Sequence, residues 1–141
     1  MLNTRPAKPA DEDRVMDLLA QLMEDAPIRE EILRPGFRRL LEEPTRGAAL
    51  VAEDETGVLG VITFSYNFAV RFGGFYAQIE ELCVDSEARG KNGGATLVQA
   101  CIATAREHGC KEIGLYSREH TRAFYEKQGF AYAGPEVRQP L

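Results

Sequence analysis

At 141 residues and 15.7 kDa, with 44% hydrophobic and 28% charged residues, the chain has the size and composition of a single globular domain spanning residues 1–141. Its 17 basic and 22 acidic residues give a net charge of −5, and the imbalance is local: residues 1–60 carry 8 basic and 13 acidic side chains, residues 61–141 carry 9 of each. No basic tail or aromatic-interleaved basic face marks a nucleic-acid partner, and no apolar run approaches the roughly 18 residues of a membrane span.

Cys83, Cys101 and Cys110 fit neither a disulfide framework nor a zinc site, so they are expected as small buried hydrophobes with no metal bound. The N-terminus lacks a basic segment followed by an apolar one, which makes the cytoplasm the expected location.

Val15, Leu18, Leu19, Leu22 and Met23 recur at helical spacing and predict an amphipathic helix from about Asp11. A second helix is expected after Pro35, whose fixed φ suits a first turn, with Phe37, Leu40 and Leu41 inward and Pro44 as the stop. Ala48 to Ala52 reads as a buried strand, Asp54 to Gly57 as a turn, and Val58 to Tyr66 as its antiparallel partner. Phe75 to Val84 is a further strand with Glu80 and Glu81 adjacent in its middle. Leu97, Val98, Cys101, Ile102 and Ala105 then mark a helix ending near Gly109. A short strand at Ile113–Tyr116, a helix from about Glu119 to Gln128, and two closing strands at Phe130–Ala133 and Val137–Gln139 around Gly134-Pro135 complete the order. With a strand at the start, this implies an α+β or mixed α/β fold. The aromatic stretch Phe64, Tyr66, Phe68, Phe72, Phe75, Tyr76 is expected to pack mostly into the core.

Between strand and helix lies Arg89-Gly90-Lys91-Asn92-Gly93-Gly94. The first N–H groups of a helix are unpaired and carry partial positive charge, and glycines keep side chains away from them. The segment therefore has the form of an anion cradle, with Arg89 and Lys91 adding charge. It is neither a Walker loop nor GxGxxG, and a plain Asn-Gly turn is the alternative.

Three runs together, Ile79-Glu80-Glu81-Leu82-Cys83-Val84-Asp85, Arg89 to Gly94, and Phe124-Tyr125-Glu126-Lys127-Gln128-Gly129-Phe130, resemble the GNAT superfamily of acetyl-CoA-dependent N-acetyltransferases. The resemblance implies a three-layer fold with a central mixed sheet of six to seven strands and about four helices. It implies acetyl-CoA as cosubstrate, its pyrophosphate held by the backbone of Arg89, Gly90, Lys91, Asn92, Gly93, Gly94 and Ala95, and its pantetheine arm paired with Leu82, Cys83 and Val84. Asn92 stands where the family has a glycine; Asn is the other residue that tolerates left-handed backbone.

Amine acetylation moves two protons, one from the ammonium and one to the departing thiolate. The resemblance implies that Tyr125, which would also touch the cofactor, is the donor. About 100° separates it from Phe124 on a helix, so burial of Ala123 and Phe124 would turn it toward the sheet. For the base, Glu80 is favoured with Glu81 close behind; strand parity separates them unless a bulge intervenes, and solvated edge charges are the alternative.

Residues 109–130 resemble glucosamine-6-phosphate N-acetyltransferases, and the Asn-containing loop resembles aminoalkylphosphonate N-acetyltransferases. Both imply a small-molecule primary amine bearing phosphate or phosphonate, with Arg29, Arg34, Arg38, Arg39 and Arg71 as candidate oxyanion contacts. A homodimer is a further implication. A silent acyl-CoA sensor and a protein or peptide N-acetyltransferase stand as alternatives.

Overall fold

The computed structural model describes residues 1–23, 26–134 and 136–141. Five strands form one sheet in the order β1 (Asn3–Pro6), β2 (Gly47–Asp54), β3 (Gly57–Ala69), β4 (Gly74–Val84) and β5 (Ile113–Gly114). The first four run antiparallel and β5 joins β4 in parallel, so the sheet is mixed. Helices α1 (Glu12–Leu22) and α2 (Glu30–Glu42) cover one face, and α3 (Gly93–Glu107) covers the other, with α4 (Arg122–Lys127) after β5. Among the described residues, no helix is long and apolar enough to cross a membrane.

Strand alternation assigns the core. Leu50 and Ala52 of β2 and Ile62 and Phe64 of β3 meet Leu97, Val98 and Cys101 of α3. Their neighbours Ala49, Val51 and Val61 point the other way, against Val15, Leu18 and Leu19 of α1 and Phe37 of α2. Burial on both faces explains why these strands read as continuous apolar runs. Arg5 of β1 ties this frame to the start of α1: it donates two hydrogen bonds to Asp11, at 2.8 and 3.0 Å, and two to Glu53, at 3.0 and 3.2 Å.

Three expectations need correction. The second helix begins at Glu30, with Pro35 inside it rather than in its first turn. That first turn is held by Arg34, which bridges Glu30 at 2.7 Å and reaches Glu12 and Asp13 of α1. Among the described residues the sheet has five strands, not six or seven: residues 130–133 and 137–139 pair with no strand there. Phe130 gives its N–H to the Tyr125 carbonyl, Tyr132 is exposed beneath the Arg122 guanidinium, and a two-residue β5 offers too little edge to template another strand. Pro135 lies outside the described residues. The aromatic stretch divides: Phe64 and Tyr66 are core, while Phe68 and Phe75 stack edge to face in the open at the tip of the β3–β4 hairpin.

Candidate active site

β4 has two halves that differ in their neighbours. Its first half pairs with β5 through Ala77 and Gln78, and the Ala77 N–H donates to the Glu112 carbonyl at 2.9 Å. Beyond Gln78 the β5 side of β4 has no partner strand among the described residues, so Leu82, Cys83 and Val84 border an open splay. Their side chains are fixed from behind: Leu82 and Val84 pack on the α3 face, and Cys83 lies against α1, its Sγ 2.9 Å from the Leu18 carbonyl. Burial pushes the Cys83 thiol up, which makes it a poor nucleophile.

At the head of the splay the strand carries a β-bulge. Thr63 pairs with Glu81 and Phe64 with Ile79, leaving Glu80 as the extra residue. The parity argument thus fails at this point, and both carboxylates face the same way. Glu81 bonds the Thr63 hydroxyl, Glu80 accepts from Ser65 Oγ at 2.7 Å, and Val61, Thr63 and Ser65 share the α1 face by alternation. Glu80 is exposed. Glu81 is half-buried, and that burial raises its carboxyl above the usual range, partly offset by the Thr63 hydrogen bond.

The glycine-containing loop follows β4. Asn92 adopts left-handed backbone, φ 63° and ψ 24°, as the N-cap of α3, and is the one described non-glycine residue with positive φ. The first bond of the helix runs from the Thr96 N–H to the Asn92 carbonyl at 3.1 Å, so the N–H groups of Gly93, Gly94 and Ala95 have no partner within the helix. Gly93 and Gly94 prove to be packing residues. A Cβ on Gly93 would lie 3.3 Å from Val84, and one on Gly94 would lie 3.3 Å from the Phe124 ring. Gly90, at φ 90°, has open space around it. Arg89 is exposed, and Lys91 lies 3.6 Å from Asp54 of β2.

Tyr125 sits on α4 with its ring edge-to-face on Phe124 and Phe130, 4.9 and 5.7 Å between centroids. Ala123 is exposed, contrary to expectation, and Phe124 and Tyr125 both pack half-buried onto the α3-side core. Burial raises the Tyr125 phenol above its ordinary value, so it stays protonated at neutral pH. It lines a cleft of about 970 Å³ with Ile113, Tyr116 and the tail at Glu136; Glu80, Glu81 and the loop do not. Beside the cleft the Arg138 guanidinium stands 5.2 Å over the Tyr116 ring and donates to the Glu136 carboxylate at 2.5 Å, which strengthens its hold on its proton.

Four of the arginines singled out for an oxyanion are already engaged. Arg29 pairs with Glu31, Arg34 with Glu12, Asp13 and Glu30, Arg38 with Glu12, and Arg39 with Glu43. Arg71 instead lies over the Phe72 and Tyr76 rings at the hairpin tip, roughly 20 Å of extended strand from the bulge.

A splayed parallel edge, a bulge bearing acids and a left-handed turn into a helix define an acyltransferase scaffold. Residues 13–130 match the acetyltransferase (GNAT) family, and the chain belongs to it. It is an N-acetyltransferase by membership. Glucosamine 6-phosphate N-acetyltransferase 1 of Oryza sativa subsp. japonica is 34% identical over 131 residues, covering 89% of this chain and 79% of that protein. Among solved structures, glucosamine-6-phosphate N-acetyltransferase from Arabidopsis thaliana superposes with a TM-score of 0.85 at 22% identity, covering 99% of this chain and 98% of that one. An aminoglycoside 6'-N-acetyltransferase from Acinetobacter baumannii reaches 0.83 at 20% identity, covering 100% and 98%. Two such different acceptors on one fold mean that the fold alone does not select the amine.

Proposed function

We propose that the protein transfers the acetyl group of acetyl-CoA to the primary amine of a small molecule bearing a phosphate or phosphonate. The observation that carries this reading is the bulge: it puts two carboxylates on one face of β4 where the strand loses its β5 partner. The loop fits the cosubstrate's diphosphate, since Asn92 takes the turn and the N–H groups of Gly93 to Ala95 have no partner within the helix. The unpaired edge at Leu82–Val84 fits its amide-bearing arm.

When bound, acetyl-CoA supplies an acyl group already activated as a thioester. Glu81, whose raised carboxyl makes it the better base, accepts the proton from the substrate ammonium, directly or through water. The freed amine nitrogen bonds to the thioester carbon, the C–S bond breaks, Tyr125 gives its phenolic proton to the sulfur, and the second proton that the nitrogen sheds on becoming an amide restores the phenol. Glu80 lies beside Glu81 on the same face of β4, bonded by Ser65. The name of the rice relative supports a phosphate-bearing amine.

Thiol release from acetyl-CoA tests the reading, with glucosamine 6-phosphate, 2-aminoethylphosphonate, their unphosphorylated counterparts and a peptide as acceptors. At least tenfold higher kcat/KM for a phosphate- or phosphonate-bearing amine is expected. Binding of acetyl-CoA without release on any acceptor would establish a sensor instead, and turnover on the peptide alone would establish a peptide acetyltransferase.

A further inference from the structure

Thr63 occupies a position that the sequence would let a valine fill. It follows Val61 and Ile62 in β3, is 6% exposed, and faces the apolar side of the sheet that packs on α1 and α2. A hydroxyl in such a place is costly unless both its donor and its acceptor are used. Here both are used on a single residue. Thr63 Oγ1 accepts the backbone N–H of Glu81 at 3.2 Å and donates its own hydrogen to the Glu81 carboxylate. The N–H in question lies next to the bulge, where the ladder between β3 and β4 slips by one residue. One side chain therefore closes the irregularity in the backbone and aims the carboxylate that the irregularity presents.

We propose that Thr63 is a positioning residue for acetyl transfer, holding the Glu81 carboxylate in one orientation and setting the acidity at which it takes up a proton. The inference rests on the reading of Glu81 as base. Few other groups compete for this control. Glu80, beside it on the same strand, is the charged group that acts on Glu81 among the described residues. On α1, Arg14 is committed to Asp85 at 2.5 Å and to the Val58 carbonyl; on α2, Arg34 and Arg38 are committed to Glu12; α3 lies across the sheet. Ser65 performs the simpler task for Glu80, a single donated bond on an exposed carboxylate, and lacks the contact to backbone.

The test follows the Glu81 carboxyl itself, so it does not depend on knowing the acceptor. Full-length protein labelled with carboxyl-¹³C glutamate is titrated by NMR, with the Glu81 signal identified by its loss in Glu81→Gln. Thr63→Val removes the donor from the charged form, so the titration midpoint should rise by about one pH unit. Thr63→Ser should return it to the wild-type value. The acid limb of the kcat/KM profile should move with it, a loss of about tenfold at a fixed pH on that limb. A valine variant that folds, yet titrates like wild type, overturns the proposal. Should Thr63→Val fail to fold, Thr63→Ala against Thr63→Ser makes the same comparison with less bulk. Full activity in Glu81→Gln with loss in Glu80→Gln would overturn the base assignment, and the NMR comparison would then overturn or uphold the control of Glu81 by Thr63 on its own.

Discussion

Asn92 offers the sharpest test of how the loop is built. Its backbone is left-handed, φ 63° and ψ 24°, and its side chain makes no capping bond, so replacing it changes backbone preference and little else. An ordinary L-residue in that region costs roughly 1–2 kcal/mol, a cost Asn partly avoids. Asn92→Ala should therefore lose ~1 kcal/mol, and Asn92→Gly should sit within about 0.5 kcal/mol of wild type, the gain in φ freedom offset by a more flexible unfolded chain. For a domain of this length, ~1 kcal/mol corresponds to about 3 °C in Tm. Urea denaturation and thermal melting of the three proteins measure this. Calorimetric titration with acetyl-CoA adds the functional arm: Asn92→Ala should weaken binding several-fold, because the turn aims the N–H groups of Gly93 to Ala95, and Asn92→Gly should not. If Asn92→Ala melts with wild type while Asn92→Gly falls below both, the left-handed turn is not what Asn92 supplies.

Two further outcomes follow from charge and burial. The Arg5 hydrogen bonds hold the Asp11 carboxyl below 3.8, so this contribution to stability is fully present above that pH and is lost as the pH falls through the lower folded value. Asp11→Asn should cost ~2 kcal/mol at pH 7, with the gap to wild type closing below pH 3.8 in denaturant titrations. Burial pushes the Cys101 thiol up to about 12 and also raises Cys83. A thiol-reactive dye at pH 8 should label half-exposed Cys110 first, with the other two protected until unfolding; rapid labelling of Cys83 in the native protein would contradict its place under α1.

The parts of this molecule legible in its sequence are those set by local pattern. The stripe from Val15 to Met23 buries Val15, Leu18 and Leu19 but leaves Leu22 and Met23 exposed at the end of α1, while the apolar run at Ala48–Ala52 and the periodicity of Leu97 to Ala105 bury most of the face they predict. The strand-to-helix connection with its glycines and the pair of acids within one strand were also legible as local features. Strength of pairing was not. Phe130–Ala133 and Val137–Gln139 have the composition of strands, but a strand needs an edge, and β5 ends after Gly114. Pro35 reads as a helix start because a missing N–H is free there, yet the ion pairs of Arg34 carry the helix a turn further back. Ion pairs also engage four of the candidate oxyanion arginines, Arg29, Arg34, Arg38 and Arg39, a matter of partners that residue type does not disclose. Thr63 gave no signal at all, being one β-branched residue in a β-branched run.

The extra residue at Glu80 also gives β4 something like a reading frame. Upstream of it Ala77 and Ile79 face α3; downstream, Leu82 and Val84 do, and Cys83 faces α1. Deleting Glu80 would straighten the strand and return it to plain alternation, with Leu82 and Val84 still toward α3 and Cys83 still toward α1. Deleting Leu82, in the regular part of the strand, would instead turn Cys83 toward α3 and Val84 toward α1, exchanging residues between the two cores. Chain length is therefore negotiable at the bulge and fixed immediately below it.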